Sequence, residues 1–157
     1  MEVILVRHAK AERWQPGRSD FDRVLIEEGI ERLQNKLSDL QEELLSGQYD
    51  EDQPRRLIMW VSPSARTMET ADIICESLDV HEVEEHEWIW EQDSNGFERS
   101  LDVLEEDDLI MIVGHQPSLS EWAEIMTGDP VPFRTSAIVS FVKHEGQRAW
   151  HVNWELP

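Results

Sequence analysis

Three stretches of this chain each place a cationic or nucleophilic side chain directly behind a run of apolar residues. Arg7 and His8 follow "VILV", Ser62, Pro63 and then Arg66 follow "LIMWV", and Gly114 and His115 follow "LIMIV". Two guanidiniums turned into one pocket repel each other unless an anion lies between them, and their planar paired donors match phosphate oxygens. An imidazole beside them is a nucleophile for phosphorus. The expected occupant is therefore a phosphoryl group. A metal ion held by His8 and His115 is the competing reading, but the arginines oppose a cation, and no Cys or carboxylate completes a ligand set by its spacing. The sequence contains neither a Walker-type phosphate loop nor a Gly-x-Ser-x-Gly elbow, which argues against a nucleotide-driven motor and a serine hydrolase.

These residues need rigid elements to aim them. Val3 to Val6, Leu57 to Val61 and Leu109 to Val113 are short, continuously apolar runs of the kind found in strands covered on both faces. From Ile26 to about Leu45, apolar residues fall at Ile26, Ile30, Leu33, Leu37, Leu40 and Leu44, which predicts one helix stopped at Gly47. Ala65, Met68, Thr70, Ala71 and Ile74 predict a second helix, and Ser118 to about Thr127 a third with Ser118 as N-cap. "SAIVSFV" and "AWHVNW", separated by "KHEGQR", suit a closing antiparallel hairpin. About Glu82 to Gly96 carries no clear element. Strands alternating with helices imply a mainly parallel sheet in a single α/β domain spanning residues 1–157. In such sheets ligands collect beyond the carboxyl ends of the strands, where the Arg and His residues recur.

Composition narrows the partners. Against 14 Lys and Arg stand 34 Asp and Glu, a formal charge of −20, which disfavours nucleic acid and anionic membrane surfaces. Cys75 is the only cysteine, so no internal disulfide forms, in keeping with a reducing compartment. The apolar run at the N-terminus is far shorter than a signal peptide core, and no run reaches membrane-spanning length, so a cytoplasmic protein is expected.

Taken in order, "VRHAK", "VSPSARTMETA" and "VGHQPSLSEWA" resemble the motif set of the histidine phosphatase superfamily, the phosphoglycerate mutase-like proteins. Within it the chain most resembles the short SixA-type phosphohistidine phosphatases. "DFDRVLIEEG" is similar to that group's Asp…Arg-Pro-Leu-Thr-x-x-Gly element and "FRTSAIVSF" to its late Thr-Ser-Ala segment, so the resemblance covers Met1 to about Phe141. It implies a three-layer α/β/α fold, no cofactor, and a phosphate pocket formed by Arg7, His8, Arg66 and His115. Ala9 stands where the family usually has glycine, and "RVLI" keeps Arg23 but lacks the Pro and Thr.

With a reference pKa near about 6.5, a histidine has a large nucleophilic fraction at neutral pH, so His8 is the expected nucleophile. Arg7 and Arg66 would neutralise the charge on the transferring group, with His115 as a further clamp. Arg23 is a candidate substrate or phosphate contact, and Ser62 is expected to shape its turn. A general acid, where one is needed, would come from "EEHEWIWEQDSNG", with Glu87 first and Glu91 next.

The resemblance implies removal of a phosphoryl group from a histidine of a phosphotransfer domain or phosphocarrier, through a phosphohistidine on His8. A phosphoramidate expels a weakly basic imidazole and needs no strong acid. A small-molecule phosphomonoesterase using Glu87 and a non-catalytic phosphohistidine-binding module are the alternatives. Trp14, Trp88 and Trp90 are expected near the pocket mouth, as packing or anchoring residues or as contacts to a protein partner.

Overall fold

The computed structural model describes residues 1–46 and 55–157. Six strands form one sheet in the order β3-β2-β4-β1-β5-β6. These are β1 (Glu2–Arg7), β2 (Leu57–Val61), β3 (Val83–Glu85), β4 (Leu109–Gly114), β5 (Ile138–Val142) and β6 (His151–Leu156). The first four run parallel, while β5 pairs antiparallel with β1 and β6 antiparallel with β5. The expected terminal hairpin is present, and β5 places it against β1.

The continuous apolar character of the central strands has a direct cause. Alternate side chains of β1 enter different cores: Val3 and Leu5 pack with Phe97, Leu119 and Trp122, whereas Ile4 and Val6 pack with Leu33, Leu40 and Ile74. Helices α1 (Glu27–Gln34), α2 (Leu37–Ser46) and α3 (Ala65–Leu78) supply one face. Helices α4 (Glu87–Trp90), α5 (Ser94–Asp102) and α6 (Ser118–Thr127) supply the other. Both faces of the sheet are covered by helices, so these strand residues are apolar on either side, and the architecture is three-layer α/β/α.

Three local expectations need correction. The single helix from Ile26 is two, because Lys36 N–H donates to Leu33 O in a tightened turn and its ammonium swings to Ser136. The apolar stripe runs through this break, so periodicity alone could not reveal it; Gly47 lies outside the described residues. The stretch Glu82 to Gly96 holds β3, α4 and the start of α5, elements too short for a periodic signal. Ser118 is the first residue of α6 and not its cap, since its hydroxyl donates to His115 O. Among the described residues, no helix is long and apolar enough to cross a membrane.

Candidate active site

The register of β1 and β4 pairs Arg7 with Gly114, so His8 and His115 leave the sheet side by side, their ring centroids 5.5 Å apart. The backbone continues this pairing one step further, as His8 N–H donates to Gly114 O at 3.2 Å. On the other side of β1, Ser136 N–H donates to His8 O at 3.0 Å. The nucleophile candidate is thus held by main chain on both flanks before its side chain is considered.

His8 is only 8% exposed. Its Nδ1 lies 2.7 Å from Ala9 O, a carbonyl that can only accept, so Nδ1 carries the proton and Nε2 keeps its lone pair. Burial, reinforced by Arg66, Arg7 and Arg23, outweighs the Ala9 hydrogen bond and pushes the imidazole down to about 4. The ring is therefore neutral and nucleophilic at neutral pH. Ala9 fits without strain: its methyl joins the core beneath α3, and its N–H donates to Thr70 Oγ1 at 3.0 Å. The usual glycine's conformational freedom is not needed here, because the Ala9 backbone stays out of the positive-φ region.

Arg66 enters from the first turn of α3 and is 5% exposed. Its Nε donates to His8 Nε2 at 3.3 Å, Nη1 donates to Asp20 O at 2.7 Å, and the guanidinium lies over the Trp90 ring at 5.6 Å. Arg7 is anchored through Nη1 to Phe133 O at 2.8 Å, while its buried Nε has no partner. His115 Nε2 is hydrogen-bonded with Ser62 Oγ at 2.8 Å, and its buried Nδ1 also has no partner. Burial, with the charge of Arg66, pushes His115 down to about 3. Two buried nitrogens without protein partners, set beside an arginine-lined nucleophile, are what phosphoryl oxygens would satisfy.

These groups share one cleft of about 610 Å³, lined by Arg7, His8, Arg66 and His115 together with Arg23, Asp20, Lys10, Ala11, Trp90, Gln92, Gln116 and Thr135. Arg23 is brought in as expected, steadied by Asp20 Oδ1 at 2.7 Å and Glu12 O at 2.8 Å. Glu87 is not: it is exposed at the start of α4, outside the cleft lining, and Glu91 is outside it too. A four-residue helix turns the second tryptophan inward and leaves the acid outside. Ser62 does more than shape its turn, because it fixes the His115 ring.

The three tryptophans separate. Trp88 packs beside Trp122 at 5.4 Å, Trp90 walls the cleft, and Trp14 is 58% exposed. Asp20, Gln92, Gln116 and Thr135 were not identified from sequence as lining residues, whereas Trp90 was expected near the mouth. Gln116 follows His115 at a strand end, a signal that could have found it. Asp20 and Trp90 reach the cleft only because a 3-10 turn and α4 fold back over it.

No family model and no curated protein matches the chain. Solved structures do match. A SixA protein from Agrobacterium tumefaciens, named as a phosphohistidine phosphatase, superposes with TM-score 0.79 at 26% identity, over 99% of this chain and 97% of that one. The protein histidine phosphatase SixA complexed with tungstate superposes with TM-score 0.67 at 22% identity, over 99% and 96%. Phosphoglycerate mutase from Bacillus anthracis gives 0.70 at 14%, over 97% and 91%. In its sheet order, and in the Arg and His residues gathered beyond the carboxyl ends of β1, β2 and β4, the chain resembles the phosphoglycerate mutase-like histidine phosphatases.

Proposed function

We propose that this phosphatase takes a phosphoryl group from a histidine of a phosphotransfer protein, by way of a phosphohistidine on its own His8. Nε2 of His8 attacks phosphorus in line, forming the Nε2–P bond as the substrate's N–P bond breaks and its electron pair returns to the substrate ring. Arg7 and Arg66 neutralise the equatorial oxygens, with Arg23 at the rim, and His115 donates a hydrogen bond. Water then attacks the phosphohistidine, the P–Nε2 bond breaks, and phosphate leaves with His8 neutral again.

The observation that carries the substrate class is the cleft's acid inventory. Among the described residues, the only carboxylate lining it is Asp20, which accepts hydrogen bonds from both Arg23 and Arg66. Partial burial pushes this carboxyl up, but the Arg23 hydrogen bond and the arginine charges outweigh burial and hold it below the ordinary range. It is ionised at neutral pH and does not protonate an alkoxide. An imidazole leaving group needs no such acid. The SixA neighbours, one of them bound to tungstate, a phosphate analogue, add support for an oxyanion in the cleft and a phosphoprotein substrate.

The test is single-turnover transfer from a histidine-phosphorylated carrier protein, with label followed on both proteins. Loss of carrier label through an acid-labile phosphoenzyme, abolished in His8→Ala, is the expected result. Turnover of small phosphate esters with no loss from several carriers would refute the proposal.

A further inference from the structure

We infer that Asp20 is a specificity residue: its carboxylate favours a phosphoryl group carried on a cationic, ring-protonated imidazole over one carried on an ester oxygen. This rests on the phosphohistidine reading above and says how the cleft would choose that substrate.

A carboxylate inside an oxyanion pocket is a paradox on electrostatic grounds, because it repels the phosphoryl dianion that the arginines attract. One explanation is purely structural, that Asp20 merely holds Arg66 in place. The contacts argue against it. Arg66 is already held by the Asp20 main-chain oxygen at 2.7 Å, by His8 Nε2 and by the Trp90 face, whereas its bond to Asp20 Oδ2 is long, at 3.3 Å. The short carboxylate bond, 2.7 Å, goes from Arg23 Nε to Oδ1, so Oδ2 retains acceptor capacity.

Placement supplies the other half. Arg66 presents Nε to His8 and its two terminal nitrogens to Asp20, so the guanidinium lies between nucleophile and carboxylate. In-line transfer requires the leaving group on the side of phosphorus away from His8, toward the mouth, where the Asp20 side chain is 47% exposed. A phosphohistidine whose second ring nitrogen is protonated brings a positive charge to that side. When its N–P bond breaks, the electron pair neutralises the ring, which departs as imidazole with its N–H intact, and no proton has to be delivered. Asp20 stabilises this protonated, more reactive form. An ester has no cation to offer, and its departing oxygen gathers negative charge that Asp20 opposes.

The experiment compares wild type, Asp20→Asn and Asp20→Glu on 3-phosphohistidine and on p-nitrophenyl phosphate, with tungstate as inhibitor. In Asp20→Asn, kcat/KM for 3-phosphohistidine should fall about tenfold, the size of one charge pair at a half-exposed site. Turnover of p-nitrophenyl phosphate should rise and tungstate should inhibit at lower concentration. Asp20→Glu, which restores the charge, should return the substrate ratio toward wild type. A fall on both substrates by one factor, or no change on either, would overturn the inference while leaving the phosphohistidine reading intact. Wild-type enzyme that hydrolyses p-nitrophenyl phosphate but removes the phosphoryl group neither from 3-phosphohistidine nor from several histidine-phosphorylated carriers would overturn that reading and the inference with it.

Discussion

Arg66 Nε lies 3.3 Å from His8 Nε2, so the cation that would grip the phosphoryl oxygens already touches the atom that would attack phosphorus. The contact occupies the nucleophile's lone pair, so an incoming phosphoryl oxygen must draw the Arg66 Nε–H away before Nε2 attacks. It uses one edge of a planar fork whose other edge reaches Asp20 O and whose face rests on Trp90. A lysine cannot satisfy three directions from one ammonium. Arg66→Lys should keep the net charge, fold normally, and lose about 10²–10³ in kcat. Steady-state kinetics beside a thermal melt check this, and kcat within threefold of wild type would contradict it.

Acid should destabilise the fold through His8 in a window set by its two pKa values. The folded ring takes a proton only as pH approaches about 4, whereas the unfolded ring takes one near about 6.5. Between them the unfolded state binds more protons, so stability contributed here is complete above about 6.5 and is lost as pH falls toward 4. The loss is on the order of 3 kcal/mol. Urea midpoints at pH 7.5 and 5 should fall less for His8→Gln than for wild type. Equal falls in the two proteins would show that His8 does not titrate as described.

The parts legible in the sequence are those whose signal is local. The three apolar runs are the sheet's central strands, and the residues that follow β1 and β4 mark the cleft, which is why Arg7, His8 and His115 could be found without coordinates. β3 was not legible: Val83, Glu84 and Glu85 form an exposed edge strand with no apolar pattern. Glu87 does not reach the cleft whereas Trp90, expected near its mouth, lines it, and the local sequence could not separate the two. They lie three residues apart on a helix of one turn, and which of them faces His115 depends on Ile89 anchoring in the core. The approach of Asp20 to Arg66 was not legible either, because it joins residues 46 positions apart.

Gly29 is required by contact. A Cβ there would be driven into Lys10 O and lie 2.8 Å from Lys10 N, in the main chain just past His8. Neither backbone can yield without moving α1 off the loop, where Ile26 N–H also donates to Lys10 O. Gly29→Ala should destabilise the protein by about 1–3 kcal/mol despite alanine's better helix propensity. A thermal or urea melt decides it, and a variant as stable as wild type would mean the loop adapts freely.

Lys36 should matter to catalysis although it lies outside the cleft lining. Its half-buried ammonium donates to Ser136 O at 2.8 Å and to Ser136 Oγ at 3.0 Å. Ser136 holds φ at 60°, a left-handed conformation that a serine adopts only when its surroundings impose it, and from there its N–H reaches His8 O. Burial, with the nearby charge of Arg32, pushes the Lys36 amine below its ordinary value, a cost that these two hydrogen bonds offset. Lys36→Met preserves the stem and removes the donors. The Ser136 carbonyl then loses its partner, a change worth about 1–3 kcal/mol, and His8 loses one of its two main-chain supports. The expected result is a lower melting temperature together with a several-fold fall in kcat and little change in tungstate inhibition, since every arginine of the cleft remains. Loss of stability with unaltered kcat would confine Lys36 to the fold.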